Sequence, residues 1–288
     1  MSPTTTEFSQ RQMQTADGTT LGVHEAAGEG SVVVALHGFT GSAAAMLPLL
    51  DAVRDGRPAI AIDLVGHGTS DAPDYLDSYS MSSVVDQVLS VTGPREPNTV
   101  HLIGYSMGGR VALSLAARAP WYFASITAIS ATPGIEDPLE RAARHDADLA
   151  LAMRIEEVGI DQFVEEWLHK DIFAPYVASL NREARERTVA MRAKATVQGL
   201  AGSLRGTGTG AMPPVWSQLQ GLRSPLLAIA GELDARYAQL ASQIADATPN
   251  GRAAILSDTG HVVHDENLPS ISNIIGSFLQ SCDIHEQL

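Results

Sequence analysis

A serine stands between two glycines at Gly104-Tyr105-Ser106-Met107-Gly108, straight after the apolar run Thr99-Val100-His101-Leu102-Ile103 and ahead of a helical pattern over 111–119. In a strand–turn–helix context, G-x-S-x-G is the pattern of a nucleophile elbow: the turn is so tight that both flanking positions must lack side chains, and the hydroxyl stands above the sheet. A serine hydroxyl becomes a useful base or nucleophile only when an imidazole takes its proton and a carboxylate fixes that imidazole's tautomer. In elbows of this kind the partners follow in the order serine, acid, histidine. Gly231-Glu232-Leu233-Asp234 closes a later apolar run, so Asp234 is the candidate acid and Glu232 its competitor; a helix N-cap is the alternative role for Asp234. Thr259-Gly260-His261-Val262-Val263-His264 offers His261 as the imidazole, with His264 as a neighbour or loop hydrogen-bond partner. Negative charge developing on a ligand needs preorganised donors. The backbone N–H of Met107 is one candidate, and that of Phe39, in His37-Gly38-Phe39-Thr40-Gly41, is the other. His67, in Gly66-His67-Gly68, reads as structural.

The elements that must carry these residues follow from hydropathy. Extended stretches at 8–15 and 19–25 flank the turn Ala16-Asp17-Gly18. Continuous apolar runs at 31–36, 58–63, 99–103, 124–130, 225–230 and 252–256 suit buried parallel strands, giving eight strands in all. Helical periodicity at 43–54, 81–91, 111–119, 235–246 and 268–281 alternates with them. The fold class is therefore α/β: a mostly parallel sheet with right-handed crossovers and helices on both faces. The alternation stops over 132–221, where charged helical stretches at 136–154, 156–169 and 181–194 read as an inserted helical lid over a core of 1–131 and 222–288.

With 288 residues, 44% hydrophobic and 18% charged, the composition is that of a soluble globular chain. A net charge of −14 argues against nucleic acid, and no apolar run approaches the roughly 20 residues of a membrane span. The single cysteine, Cys282, excludes an internal disulfide and a thiolate zinc site; with a polar, signal-free start, it points to the cytoplasm. The nine histidines show no metal-ligand spacing and no phosphate-cradling glycine motif occurs, so neither metal nor cofactor is expected. Lys170 and Lys194 are the only lysines, against 17 arginines, so any carboxylate-binding role falls to particular arginines.

The motifs resemble the α/β-hydrolase superfamily. In detail they are similar to its 2-succinyl-6-hydroxy-2,4-cyclohexadiene-1-carboxylate synthase family, of menaquinone biosynthesis. The segments that carry the resemblance are Leu36 to Ser42, Gly104 to Arg110, Glu140-Arg141-Ala142-Ala143-Arg144, Phe163 to Trp167 with Ile172-Phe173-Ala174, Met191-Arg192, Ser203 to Gly210 with Trp216, and Gly231 to Asp234. The stretch 171–179 departs from the family's spacing. The resemblance implies a lyase and not a hydrolase. Its substrate would be a small polycarboxylate, a cyclohexene bearing ring carboxylate, succinyl and enolpyruvyl groups, from which pyruvate is eliminated with serine acting as base.

Arg110 lies one helical turn beyond Ser106, so its guanidinium can reach the space beside the hydroxyl, for a ligand or a structural ion pair. The resemblance adds Arg144 and Arg192 as substrate-binding residues, and Tyr105 and Trp167 as pocket-lining ones that could equally belong to the core. A guanidinium suits the task because its planar fork binds a carboxylate through two charge-assisted hydrogen bonds. Two rival readings remain at this level: a serine hydrolase (esterase or carbon–carbon bond hydrolase) using the same three residues, and a non-catalytic binding protein on the same fold. Neutral esters have no use for three arginines, and a binding protein has no use for an intact serine, acid and histidine.

Overall fold

The computed structural model describes residues 8–93 and 95–285. β1 (Ser9–Gln14) and β2 (Thr20–Ala26) form an antiparallel hairpin closed by the Thr15 N–H on the Thr19 carbonyl. β3 (Val32–Leu36), α1 (Ala43–Val53), β4 (Ala59–Ile62), α2 (Met81–Thr92), β5 (Val100–Tyr105), α3 (Met107–Arg118) and β6 (Ser125–Ile129) then alternate. Five helices come before the next strand: α4 (Pro138–Leu168), α5 (Ala174–Ser179), α6 (Arg182–Arg192), α7 (Val197–Thr207) and α8 (Trp216–Leu219). β7 (Leu226–Gly231), α9 (Ala235–Ala247), β8 (Gly251–Leu256), α10 (Val263–Glu266) and α11 (Leu268–His285) complete the order.

The eight strands run β1-β2-β4-β3-β5-β6-β7-β8, with β2 antiparallel to both its neighbours and the pairs from β4 to β8 all parallel. Strand residues alternate between two cores. Val32, Val34 and Leu36 face α2, α3 and α9, while Val33 and Ala35 face α1 and α11. Burial on both faces is why these strands read as unbroken apolar runs. The chain leaves β3 toward β4 on one side and later places β5 on the other, so the loops after β3 and β5 diverge. Such a switch point opens a crevice at the carboxyl ends of the strands, where open α/β sheets bind ligands.

Helix α3 begins at Met107, four residues before the periodic pattern, because its first turn is Gly108-Gly109. Glycine is a poor helix former, which hid the start, yet the elbow demands it. A Cβ on Gly104 would lie 2.2 Å from the Gly108 carbonyl oxygen, and one on Gly108 2.4 Å from that of Leu36.

Of the three charged stretches, those at 136–154 and 156–169 are one helix, α4, bent at Gly159, whose φ of 76° is left-handed, while that at 181–194 is the separate helix α6. Helix α7 carries Gly199, Gly202 and Gly206 and has little helical signature of its own. Gly199 packs backbone to backbone on Gly66, in the loop after β4, where a Cβ would meet the Gly66 oxygen at 2.1 Å. The α4–α7 seam buries Ala152, Ile155, Phe163, Leu200 and Leu204, with Phe39 and Trp167 against its edge. No helix among the described residues is long and apolar enough to cross a membrane.

Candidate active site

Ser106 holds a backbone that L-residues seldom adopt, φ 50° and ψ −106°, fixed by its N–H on the Ile129 carbonyl at 2.8 Å and by the glycine contacts of the elbow. β7 leads to Asp234 and β8 to His261, and their adjacency brings these side chains to the same end of the sheet as β5. His261 Nε2 lies 3.2 Å from Ser106 Oγ, and His261 Nδ1 lies 2.6 Å from Asp234 Oδ2. The carboxylate can only accept, so Nδ1 carries the proton and Nε2 presents its lone pair to the hydroxyl. Asp234 occupies the N-cap position of α9 but makes no capping bond; its carboxylate is committed to the imidazole. Glu232 is exposed and, among the described residues, accepts only from the Asp258 N–H, at 3.3 Å.

Sequence reasoning missed how His261 is held. Glu266 accepts from the Gly260 N–H at 2.7 Å with one carboxylate oxygen and from the Val262 N–H at 2.9 Å with the other. The His261 carbonyl accepts from Ser130 Oγ at 2.9 Å. The backbone is thus pinned on both sides of the imidazole. A glutamate five residues after a Gly-His pair was the available signal, and nothing in its spacing announced a carboxylate that clamps backbone.

β3 and β5 pair Leu36 with Gly104, and the two donor candidates, Phe39 and Met107, each lie three residues beyond that register. The Gly108 N–H on the His37 carbonyl, 3.0 Å, stitches the two loops together. Neither the Phe39 nor the Met107 N–H has a protein partner among the described residues, and both residues line the same cavity.

That cavity, about 690 Å³, lies between the strand ends and the helices that follow β6. All ten residues expected to form the site line it: Phe39, Tyr105, Ser106, Met107, Arg110, Arg144, Trp167, Arg192, Asp234 and His261. The net charge of the chain is strongly negative, yet the cavity wall carries five cationic side chains, Arg110, Arg144, Lys170, Arg192 and Arg236, against Asp148, Asp171 and Asp234. Two of those acids are already engaged, Asp234 by His261 and Asp148 by Arg144.

The arginines are held by different means. Arg110 has no carboxylate partner among the described residues; its Nη1 donates to the Thr207 carbonyl, and burial pushes its guanidinium down to about 10, still charged at neutral pH. Arg192 is 7% exposed, donates from Nη1 to Thr40 Oγ1 at 2.5 Å, and leaves Nε buried and unpartnered. Arg144 Nε donates to Asp148 Oδ1 at 2.8 Å, and Asp148, 2% exposed, also accepts from the Gly210 N–H at 3.0 Å. Buried guanidinium groups without carboxylates are costly unless an anion completes them.

Tyr105 is buried against the His261 and His264 rings, and burial pushes its phenol far up, so its hydroxyl stays protonated and has no protein partner among the described residues. Trp167 packs edge-on to Phe39 and stacks on Phe163, with its Nε1–H buried and unpartnered. Both residues therefore belong to the cavity wall and to the packing at once. His67 is buried, donates from Nδ1 to the Val65 carbonyl and lies under Phe39, a structural position.

A second imidazole sits between a hydroxyl and a carboxylate: His101 Nδ1 is 2.8 Å from Ser125 Oγ and Nε2 is 2.9 Å from Asp283 Oδ1. Both His101 and Ser125 are wholly buried in the sheet. The same three residue types without a cavity can only support structure.

The Alpha/beta hydrolase family model matches residues 33–268, which defines the class of this fold and site. The chain is 35% identical over 249 residues to a putative 2-succinyl-6-hydroxy-2,4-cyclohexadiene-1-carboxylate synthase of Bacillus subtilis, covering 86% of this chain and 90% of that protein. It is 30% identical to the enzyme of that name from Yersinia enterocolitica, covering 87% of each. MenH from S. aureus superposes with a TM-score of 0.83 at 29% identity, covering 91% of this chain and 98% of that one. The chain belongs to the alpha/beta hydrolase family and, within it, to the 2-succinyl-6-hydroxy-2,4-cyclohexadiene-1-carboxylate synthases. It is an enzyme on a hydrolase scaffold.

Proposed function

We propose that this enzyme eliminates pyruvate from 2-succinyl-5-enolpyruvyl-6-hydroxy-3-cyclohexene-1-carboxylate to give 2-succinyl-6-hydroxy-2,4-cyclohexadiene-1-carboxylate, with Ser106, His261 and Asp234 as catalytic residues and no cofactor. The observation that carries this reading is the charge of the cavity: half-buried Arg110 and buried Arg192, without carboxylate partners among the described residues, share it with Arg144 and the Ser106 hydroxyl. A tricarboxylate ligand uses all three; a neutral ester uses none.

His261 Nε2 takes the Ser106 proton, Asp234 steadies the imidazolium, and the serine oxygen removes the ring proton next to the succinyl carbonyl. Charge moves onto that carbonyl oxygen, toward the Phe39 and Met107 N–H groups, each such donor being worth about 10²–10³ in rate. Collapse of the enolate forms the ring double bond and breaks the carbon–oxygen bond to the enolpyruvyl group. That group leaves with the electron pair, takes up a proton and ketonises to pyruvate. The proton that group takes up comes from the His261 imidazolium, while Ser106 keeps the ring proton as its own hydroxyl and is never acylated. Arg110, Arg144 and Arg192, with Tyr105 and Trp167, hold the carboxylates, and residues 132–221 act as the lid on a core of 1–131 and 222–288.

Pyruvate release from the enolpyruvyl substrate, run beside a panel of p-nitrophenyl esters, tests the reading. Turnover of the former far above the latter supports it; ester cleavage alone transfers the site to hydrolysis.

A further inference from the structure

A second cavity, about 490 Å³, lies between α1 and α6, and it shares Phe39, Tyr105 and Arg192 with the Ser106 chamber. These three side chains are a common wall. On the far side the lining is largely apolar, including Ala45, Met46, Leu180 and Met191. Arg192 is the buried cation of this compartment. Its Nη1 is tied to Thr40, which faces it from the β3 loop, and its Nε–H has no partner. The acid that lines the compartment, Asp265, is occupied by the Tyr176 hydroxyl, and Arg187 at the rim is paired with Glu183. His264 completes the wall with Nδ1 buried and unpartnered, and burial holds it neutral, down to about 4. One unsatisfied guanidinium beside a small apolar volume calls for one carboxylate on a short carbon body.

We propose that the α1–α6 compartment is a second ligand site, which takes a small 2-oxo monocarboxylate at Arg192 from the side opposite Ser106. It rests on the lyase reading for the identity of that acid: pyruvate set free in a covered chamber still filled by a dicarboxylate ring product has a cationic wall to cross and a compartment behind it to enter. Arg192 would hand the carboxylate from one side to the other without its charge meeting apolar surface unpaired.

Binding of sodium pyruvate to the protein, followed by saturation-transfer NMR, tests this directly with three tryptophan variants. Ala184→Trp on α6 and Ala45→Trp on α1 fill the second compartment from opposite walls; Leu151→Trp fills the Ser106 chamber. The expected result is pyruvate binding weakened about tenfold or more by the first two, the worth of a charge-assisted hydrogen bond, and changed less than about threefold by the third. If either of the first two fails to fold, as judged by its thermal melt, the other carries the test. Saturable binding lost only in Leu151→Trp, binding unchanged in all three, or no saturable binding to the wild type overturns the proposal. Turnover of the enolpyruvyl substrate is measured separately: its absence in the wild type defeats the lyase reading while the binding result still decides whether the compartment holds the acid.

Discussion

Asp148 holds Arg144 from one helical turn away, with one carboxylate oxygen on the guanidinium Nε and the other on the Gly210 N–H. The arrangement spends Nε on the protein, and the two terminal nitrogens of Arg144 have no protein partner among the described residues. It also ties α4 to the loop after α7, so the wall of the cavity and its cation are fixed by one buried side chain.

Replacing Asp148 with asparagine keeps the volume and one acceptor but removes the charge that orients Arg144. The expected outcome is KM for the enolpyruvyl substrate raised about tenfold with kcat changed less than about threefold, since the lost interaction is one of ground-state binding. Steady-state kinetics check it. A fall in kcat at unchanged KM would make Asp148 a participant in the chemical step.

Glu266 sets the position of His261 through two backbone bonds, so its loss acts on geometry and not on charge at the reacting atoms. Glu266→Ala is expected to lower kcat about 10²-fold, the scale of a displacement of about 1 Å in a reacting group, and Glu266→Gln, which retains one acceptor, should recover part of it. Equal rates for both variants and the wild type would show that the loop holds itself.

Much of the fold was legible because the sheet is buried on both faces and its strands are unbroken apolar runs, as in Ser31 to Leu36. The elbow was legible because its glycines are dictated by backbone contacts within a few residues. The acid was narrowed to Asp234 or Glu232 by the end of one strand, and pairing of β7 with β8 then brings Asp234 to His261 and leaves Glu232 in solvent. What stayed hidden depends on distant segments. Asp148 reads as one more charge on a solvated helix until Gly210 is folded onto it, and α7 reads as a glycine-rich stretch until Gly66 lies against Gly199.

Two buried histidines give stability a pH dependence. Burial drives His264 down to about 4 and His67 down to about 3, against 6.5 when exposed. The folded state therefore binds fewer protons than the unfolded one. Their contribution is complete above about pH 6.5 and is lost as pH falls toward 4 and 3, at up to about 1.4 kcal/mol per pH unit for each. Urea unfolding at pH 7, 6 and 5 should show stability falling, and His264→Gln should flatten that slope. A slope equal to that of the wild type would mean that His264 is protonated in the folded protein.

Asp234→Asn preserves the shape of the acid and removes the charge that fixes the Nδ1–H tautomer of His261. Turnover is expected to fall about 10²–10⁴-fold with ligand affinity little changed. If Glu232→Gln proves severe and Asp234→Asn mild, the acid role moves to Glu232.

The proposed elimination needs the Ser106 oxygen as the base in a cavity whose cations bind the substrate independently of it. Pyruvate release by Ser106→Ala, measured with substrate binding to the same variant, tests this most directly. Release is expected to slow by about 10⁴-fold or more, with affinity for the anionic substrate within about threefold of the wild type. Release within tenfold of the wild-type rate would contradict it.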